Sequence, residues 1–246
     1  MDFTIAIPDY LSLKQYKEIQ RYEHLEPLEK MAKVISILSD KTEEEIITLS
    51  PSDVSKIYLD IINSLTDVDS EFYPIFELEG VKYGYTPINK MTLAEYIDLK
   101  NLSKDAEKNI EEIIAILYRP IINEEFNSIK YAVAKGIAVG KGELEDLFQY
   151  YTIEKYDSNT RHKRAKLMQE LPASFALGVL SFFLQVIVLS LKNTPASSLP
   201  PRKWKKELKE ILNKTPFQNT GVGLALFTTY RKVPSLQSQE IKTLQI

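Results

Sequence analysis

Residues 136–142 form a glycine-rich stretch, GIAVGKG, which comes closest to a motif for phosphate chemistry. A Walker A loop has four residues between its outer glycines, and a Ser or Thr that reaches the metal ion directly after the lysine. Here three residues separate Gly136 from Gly140, and Gly142 follows Lys141. The spacing and the missing hydroxyl favour a flexible turn over a nucleotide site.

Carboxylates and histidines are the other residues that could support catalysis or metal binding. The acids cluster at Glu43-Glu44-Glu45, at Asp67/Asp69/Glu71 and at Glu111-Glu112. Paired carboxylates do acid–base work only where their surroundings separate their pKa values, so a solvated helix face or a cap is the simpler interpretation. His24 and His162 lack a second histidine or an acid at ligand spacing, and we expect both to be solvated surface residues.

The sequence contains no cysteine and no serine-hydrolase, zinc-protease or kinase motif. Disulfides, thiolate metal sites and cysteine nucleophiles are therefore excluded. We expect no cofactor, no metal ion and no enzymatic activity. An enzyme of unrecognised type stays open as an alternative, supported if acids converge in a cleft.

The segment RKWKKELKEILNK at 202–214 combines basic charge with an apolar stripe at spacings i, i+4, i+7 and i+8. It follows a Pro-Pro break and could be a helix that docks in the groove of another protein. It could also lie on an anionic membrane, contact nucleic acid, or fold back onto its own domain. The candidate partner-binding residues are Trp204, Leu208, Ile211, Leu212, Lys203, Lys205 and Lys206.

Charge is divided unevenly along the 246 residues, although the formal net charge is only −3. Residues 1–160 hold 17 Lys and Arg against 30 Asp and Glu, whereas residues 161–246 hold 14 against 4. The basic C-terminal part is suited to an acidic partner, whether protein, nucleic acid or lipid headgroups, or to the acidic part of its own chain. The composition, 44% apolar and 26% charged, is that of a globular protein.

Periodicity predicts a chain made mostly of helices. Alternation at Phe3, Ile5 and Ile7 predicts a short N-terminal strand, and alternation around Glu79-Gly80 predicts a β-hairpin over 75–86. Thr42, Ser50, Thr92 and Ser103 are predicted helix caps. The predicted helices are 11–25, 28–38, 43–48, 52–65, 93–102, 104–119, 124–135, 143–150, 161–171, 173–191 and 202–214.

The stretch from Ala173 to Leu191 has no charged residue, and as a helix it would be about 28 Å long, close to the thickness of a bilayer core. Ser174, Gly178, Ser181 and Gln185 line one face, which suits close packing in a membrane or inside a bundle. Because only one such segment occurs and the preceding chain has a globular pattern, we favour a buried helix. A single-span membrane protein is the alternative.

We therefore predict a mainly α fold: a helical bundle around a buried apolar helix at about 173–191. A small β element would be formed by the N-terminal strand plus the 75–86 hairpin. The predicted domains are a helical domain at 1–193, a linker at 194–201 with the composition TPASSLPP, and a basic helix and tail at 202–246.

Four stretches carry a resemblance to a group of uncharacterised tailed-bacteriophage morphogenesis proteins. In order they are IPDYLSLKQYKEIQRY, LEGVKYGYTPINKMTLAEYIDLKN, IIAILYRPI and MQELPASFALGVLSFF. The resemblance implies a soluble, mostly helical, non-enzymatic protein that acts as a tail assembly chaperone and binds other phage structural or tail proteins. It implies a location in the host cytoplasm or in the virion, where a neck, tail or packaged component is the alternative role. An oligomer is compatible with it, and it carries no catalytic residue.

Overall fold

A computed structural model describes residues 4–65, 73–134, 145–192, 231–232 and 242–245 of the chain. The helices are α1 (Leu13–Gln20), α2 (Pro27–Leu38), α3 (Glu43–Ile46), α4 (Pro51–Ser64), α5 (Leu93–Leu102), α6 (Ile110–Leu117), α7 (129–134), α8 (Ser158–Met168) and α9 (Ala173–Lys192). The strands are β1 (Thr4–Ile7), β2 (Ile75–Leu78), β3 (Val81–Tyr85), β4 (Tyr118–Glu124), β5 (Tyr151–Ile153), β6 (Arg231–Lys232) and β7 (Lys242–Gln245). The predicted class, mainly α with a small β element, is confirmed.

Side-chain caps begin several helices where the sequence predicts them. Thr42 and Glu45 form a capping box at α3, Thr92 and Glu95 form one at α5, and the Ser50 hydroxyl accepts a hydrogen bond from the Asp53 amide at α4. The predicted cap at Ser103 is wrong. Its hydroxyl donates to the Leu99 carbonyl at 2.7 Å, and the chain passes through a 3-10 turn and further turns before α6 begins at Ile110.

Two large hydrophobic cores, beside a small cluster around Tyr131 and Leu147, organise the described residues. One joins β1 to α2, α3 and α4 through buried aliphatic side chains such as Ile5, Ile35 and Ile57. The other contains the β2–β3 hairpin, α6, α8 and α9, and here Ile113–Leu117 of α6 are all fully buried. Helix α6 packs against α5, α8 and α9, so it lies at the centre of the second core.

Helix α9 is the predicted buried helix, and its described side chains bear this out. Phe175, Val179 and Phe183 are at most 1% exposed, and Gly178 on the predicted small-residue face is buried. Side chains from residue 185 onward, including Gln185 of that face, lie outside the described set. Among the described residues no helix combines the length and apolar character needed to cross a membrane.

The β structure is larger and differently connected than predicted. The 75–86 hairpin is confirmed, with a tight turn at Glu79 (φ 50°) and Gly80 (φ 76°). Strand β1 belongs to a separate pair with β7, whereas the sheet that contains the hairpin has the order β5-β4-β3-β2-β6. It is antiparallel from β5 to β2, and β6 adds in parallel to β2.

The helices predicted over 104–119, 124–135 and 143–150 are wrong in their bounds. The chain leaves α6 at Leu117 and enters β4 directly, α7 begins at 129 and is described as far as 134, and Glu145–Gln149 forms a 3-10 helix. Pro120 ends the helical pattern as predicted, but it lies inside a strand. Its carbonyl accepts a hydrogen bond from the Glu154 amide at 2.8 Å, so the proline loses only its donor.

Gly84 in β3 makes room for an aromatic ring that crosses the sheet. A Cβ atom at this position would lie 2.5 Å from Cε2 of Tyr151 and 3.1 Å from Cγ1 of Ile121. The Tyr151 ring is buried, and its hydroxyl donates to the Tyr85 carbonyl at 2.9 Å, so it has little freedom to move.

We expect Gly84→Ala to lower the free energy of unfolding by about 1–3 kcal/mol, because the added methyl overpacks a filled site. Urea denaturation measures this loss. The double variant Gly84→Ala/Tyr151→Leu should lose less stability than the sum of the losses in the two single variants, because Tyr151→Leu removes the clash. Gly80→Asn is the control: its site is open and Asn tolerates a positive φ, so it should change stability little. Equal losses at Gly84 and Gly80 would contradict the packing argument.

Candidate functional site

The predicted partner-binding residues lie outside the described residues, and their role stays a prediction. They are Trp204, Leu208, Ile211, Leu212, Lys203, Lys205 and Lys206. The same holds for the glycine-rich stretch 136–142 and for Asp67/Asp69/Glu71. The predicted domain boundaries at 193 and 201 also fall there and stay predictions.

Among the other predicted polar residues, four glutamates have structural partners: Glu43, Glu45, Glu111 and Glu112. Glu43 and Glu45 are exposed on α3, where Glu43 pairs with Lys33 at 2.6 Å and Glu45 caps the helix, as expected for a solvated face. Glu111 and Glu112 are not on a solvated face. The first turn of the central helix α6 faces α1 and α8, so Glu111 pairs with Lys17 at 2.6 Å and Glu112 with Arg161 at 2.8 Å.

A cleft of about 710 Å³ lies between the sheet and the start of α5. Its walls include the aromatic rings of Tyr85, Phe148 and Tyr151, and one side is the chain from β5 through Tyr156. The size falls within the range of small-ligand sites, which combine apolar walls with a few placed polar groups. This cleft is the candidate functional site.

A buried ion pair lies in the wall of the cleft. Nη2 of Arg119 is 2.6 Å from Oε1 of Glu95, and the two side chains are 7% and 1% exposed. The same Nη2 donates to the Thr86 hydroxyl at 3.1 Å. The other oxygen of Glu95, Oε2, accepts hydrogen bonds from the amide and hydroxyl of Thr92, each at 2.6 Å. One carboxylate thus caps α5 and holds Arg119.

Local structure explains why these two groups meet. The Thr92 capping box orients Glu95 on the first turn of α5, and β4 carries Arg119 opposite Gly84 of β3. Burial lowers the pKa of Arg119, and the nearby Glu95 carboxylate opposes this; a guanidinium stays charged in either case. Nε of Arg119 is buried and has no hydrogen-bond partner among the described residues.

A second network continues from the cleft to the surface. The Tyr156 hydroxyl, which lines the cleft, donates to Asp98, and Asp98 also pairs with Arg161 at 2.8 Å. Arg161 then binds Glu112, whose second oxygen is 2.6 Å from Nδ1 of the exposed His162. Burial, together with the hydrogen bond to Asp98, raises the pKa of Tyr156 to about 12. The network joins α5, α6 and α8 behind the cleft.

The unpaired charges of the cleft are positive. Glu154, the other acid in the lining, pairs with the buried Arg164 at 2.8 Å, and Arg164 also donates to the Ala115 carbonyl. Lys90 and Lys155 line the cleft, are exposed, and contact no acid among the described residues. With both acids held by arginines, the arrangement is suited to binding an anion against an aromatic wall.

Two further observations bear on the chemistry. Within the described ranges, no group of three or more His, Asp or Glu side chains is arranged to hold a metal ion. Two acids, Glu95 and Glu154, do converge on the cleft, the feature that would support an enzyme. Each is bound to an arginine, which favours a role in shape and charge.

Comparisons of the chain with protein-family profiles, with curated proteins and with solved structures find no match. The fold and the cleft define a mainly α protein with a cationic, aromatic cleft at the edge of a small sheet.

Sequence reasoning missed the cleft, although it found two of its signals. The Thr92–Glu95 capping box predicts a helix start, and Arg119 lies in the run IIAILYRPI. A charged residue in such an apolar run is a signal for a buried pair, because an unpaired charge there would be costly. The sequence does not show which acid pairs with it.

We expect Glu95→Gln to lower the free energy of unfolding by about 3–5 kcal/mol, because it leaves Arg119 as a buried charge without its partner. The double variant Glu95→Gln/Arg119→Met should be more stable than Glu95→Gln alone, because it also removes that charge. Urea denaturation measures both. Glu124→Gln, which breaks the partly exposed pair with Lys82, is the matched control and should cost less than about 1 kcal/mol. A double variant no more stable than Glu95→Gln would refute the buried-charge explanation.

Proposed function

We propose that this protein is a non-catalytic assembly factor that binds another structural protein during construction of a tailed phage particle, in the manner of a tail assembly chaperone. The helical body holds an apolar surface that shields the partner until assembly. The resemblance in the sequence supplies the phage setting, and the exposed face of α5 is the observation that carries the binding role.

Helix α5 has apolar side chains on both of its faces. Leu99 is buried, yet Leu93, Tyr96 and Ile97 are 74%, 46% and 48% exposed. Their spacing, i, i+3 and i+4, places them side by side on one face. Helices at a protein surface normally carry polar residues there, and a cluster of exposed apolar side chains marks an interaction site.

The exposed face of α5 is held rigidly and flanked by positive charge. Glu95 fixes the first turn to Arg119, and Asp98 fixes the next turn to Arg161. Lys90 precedes the apolar face and Lys100 follows it one turn further on, both exposed. A preorganised helix loses little entropy on binding. The partner surface that fits it is apolar with acidic flanks.

The variant Leu93→Ser/Ile97→Ser tests the proposal in cells infected by the phage that encodes the protein. The tagged protein should recover particle structural proteins, and the variant should recover at least about tenfold less, because two apolar side chains no longer enter the interface. Quantitative mass spectrometry of the purified bait measures this. Both positions are exposed, so circular dichroism and the unfolding midpoint should not change.

Leu59→Ser/Ile62→Ser is the matched control, because these residues form an exposed apolar pair on α4. The buried face of α4 belongs to the other core. Equal losses from both pairs, or no structural protein recovered by the unaltered bait, would contradict the proposal. Analysis of purified particles separates the two roles: absence from particles supports a chaperone, and presence supports a virion component.

The predicted docking segment at 202–214 is tested in the same assay by Trp204→Ala/Leu208→Ala. If that segment binds the partner, recovery of particle structural proteins should fall in this variant too. Unchanged recovery would show that the prediction for these residues is wrong while leaving the role of α5 intact.

A further inference from the structure

We infer that the cleft beside α5 binds the C-terminal end of a partner polypeptide, with the terminal carboxylate at Arg119, Lys90 and Lys155 and an apolar last side chain against the aromatic wall. The inference rests on the proposed function and names the part of the partner that is recognised. Four observations lead to it.

The first observation is the unused hydrogen-bonding capacity of Arg119. The contacts described for its guanidinium, to Glu95 and Thr86, are both made by Nη2, and Nε has no protein partner in the described part of the chain. The side chain is only 7% exposed, and it lines the cleft. A buried donor without a partner is costly, so an anion placed against this guanidinium is stabilised by more than its charge alone.

The second observation is the charge balance of the cleft. Its lining carries three cations, Arg119, Lys90 and Lys155, and two acids, Glu95 and Glu154. Both acids are already neutralised by arginines at 2.6 and 2.8 Å. The two exposed lysines can therefore attract a negative group, and their positive potential guides an anion toward the cleft.

The third observation separates a carboxylate from a phosphate. A phosphate monoester carries close to two negative charges at neutral pH, and it would lie near the carboxylates of Glu95 and Glu154 as well as near the cations. A single negative charge suffers less of this repulsion. A carboxylate also matches the flat fork of a guanidinium.

The fourth observation is the shape of the surroundings. The rings of Tyr85, Phe148 and Tyr151 form an apolar wall, with ring centroids 5.7 Å apart for Tyr85–Phe148 and 6.3 Å for Phe148–Tyr151. Burial raises the pKa of the Tyr85 and Tyr151 hydroxyls, so these rings add no negative charge near neutral pH. An apolar side chain next to the carboxylate gains by covering them.

The surroundings of the cleft continue in a form that suits a polypeptide. In the described part of the chain, strand β5 is the edge of its sheet, and its exposed Thr152 lines the cleft, so an extended chain can lie along it. On the other side, Thr92, Ala94 and Glu95 line the cleft on α5, whose exposed apolar face begins at Leu93. Partner residues that precede the terminal carboxylate can therefore contact both the edge of β5 and the exposed apolar face of α5.

Isothermal titration calorimetry with simple probes tests the inference on the full chain. The tetrapeptide acetyl-Gly-Ser-Leu-Phe with a free carboxylate should bind at least about tenfold more tightly than the same peptide with a C-terminal amide, because only the former makes a charge-assisted contact. N-acetylphenylalanine should bind more weakly than the tetrapeptide, and phenyl phosphate more weakly than N-acetylphenylalanine. Affinity should fall as salt concentration rises.

Two variants avoid the buried pair and so keep the fold. Thr152→Trp fills the cleft from an exposed position and should abolish binding of the tetrapeptide. Lys90→Gln/Lys155→Gln should weaken binding and reduce its salt dependence, whereas Lys56→Gln, an exposed lysine on α4, should change neither. Each variant is checked for an unchanged unfolding midpoint.

Equal affinity for the acid and the amide, no binding of either, or unchanged binding in Thr152→Trp would overturn the inference. Tighter binding of phenyl phosphate would overturn the choice of carboxylate, and equal binding of N-acetylphenylalanine would overturn the choice of a polypeptide. These results are independent of the infected-cell assay. If Leu93→Ser/Ile97→Ser loses the partner but the probes do not bind, only this inference fails; if the probes bind but no phage protein is recovered, the proposed function fails.

Discussion

The buried ion pair between Glu95 and Arg119 is the interaction on which the site depends. Glu95 uses one oxygen to cap α5 and the other to hold a guanidinium that β4 places in the sheet. Because both side chains are almost fully buried, loss of either one would leave an uncompensated charge in the interior. The pair therefore fixes the first turn of α5 against the sheet, and this fixed spacing defines the cleft between them.

The elements that sequence reasoning predicted correctly are those whose signals lie close together in the chain. The capping boxes need two residues three apart, the turn at Glu79-Gly80 needs two neighbours that accept a positive φ, and α9 is marked by one long run without a charged residue. Local chemistry favours each of these elements without reference to tertiary contacts. The mainly α class follows from them.

The elements and contacts that sequence reasoning missed depend on residues far apart in the chain. Strand β4 follows α6 without a loop, and only its pairing with β3 and β5 shows why Tyr118–Glu124 is extended. Strand β5 has three residues, too few for a period to be recognised. Glu95 and Arg119 are separated by most of α5, a turn region and α6. Their pairing, and that of Glu111 with Lys17, is decided by packing and not by spacing.

The buried face and the exposed face of α5 have different roles. The buried face, with Glu95 and Leu99, joins the helix to the sheet and to the larger core. Leu93, Tyr96 and Ile97 contribute nothing comparable, since they face outward and polar residues there would leave the core intact. Folding therefore does not account for the exposed face, and hydration of its apolar side chains is unfavourable. A partner that covers this face, and whose chain end reaches the neighbouring cationic cleft, accounts for both features with one binding event.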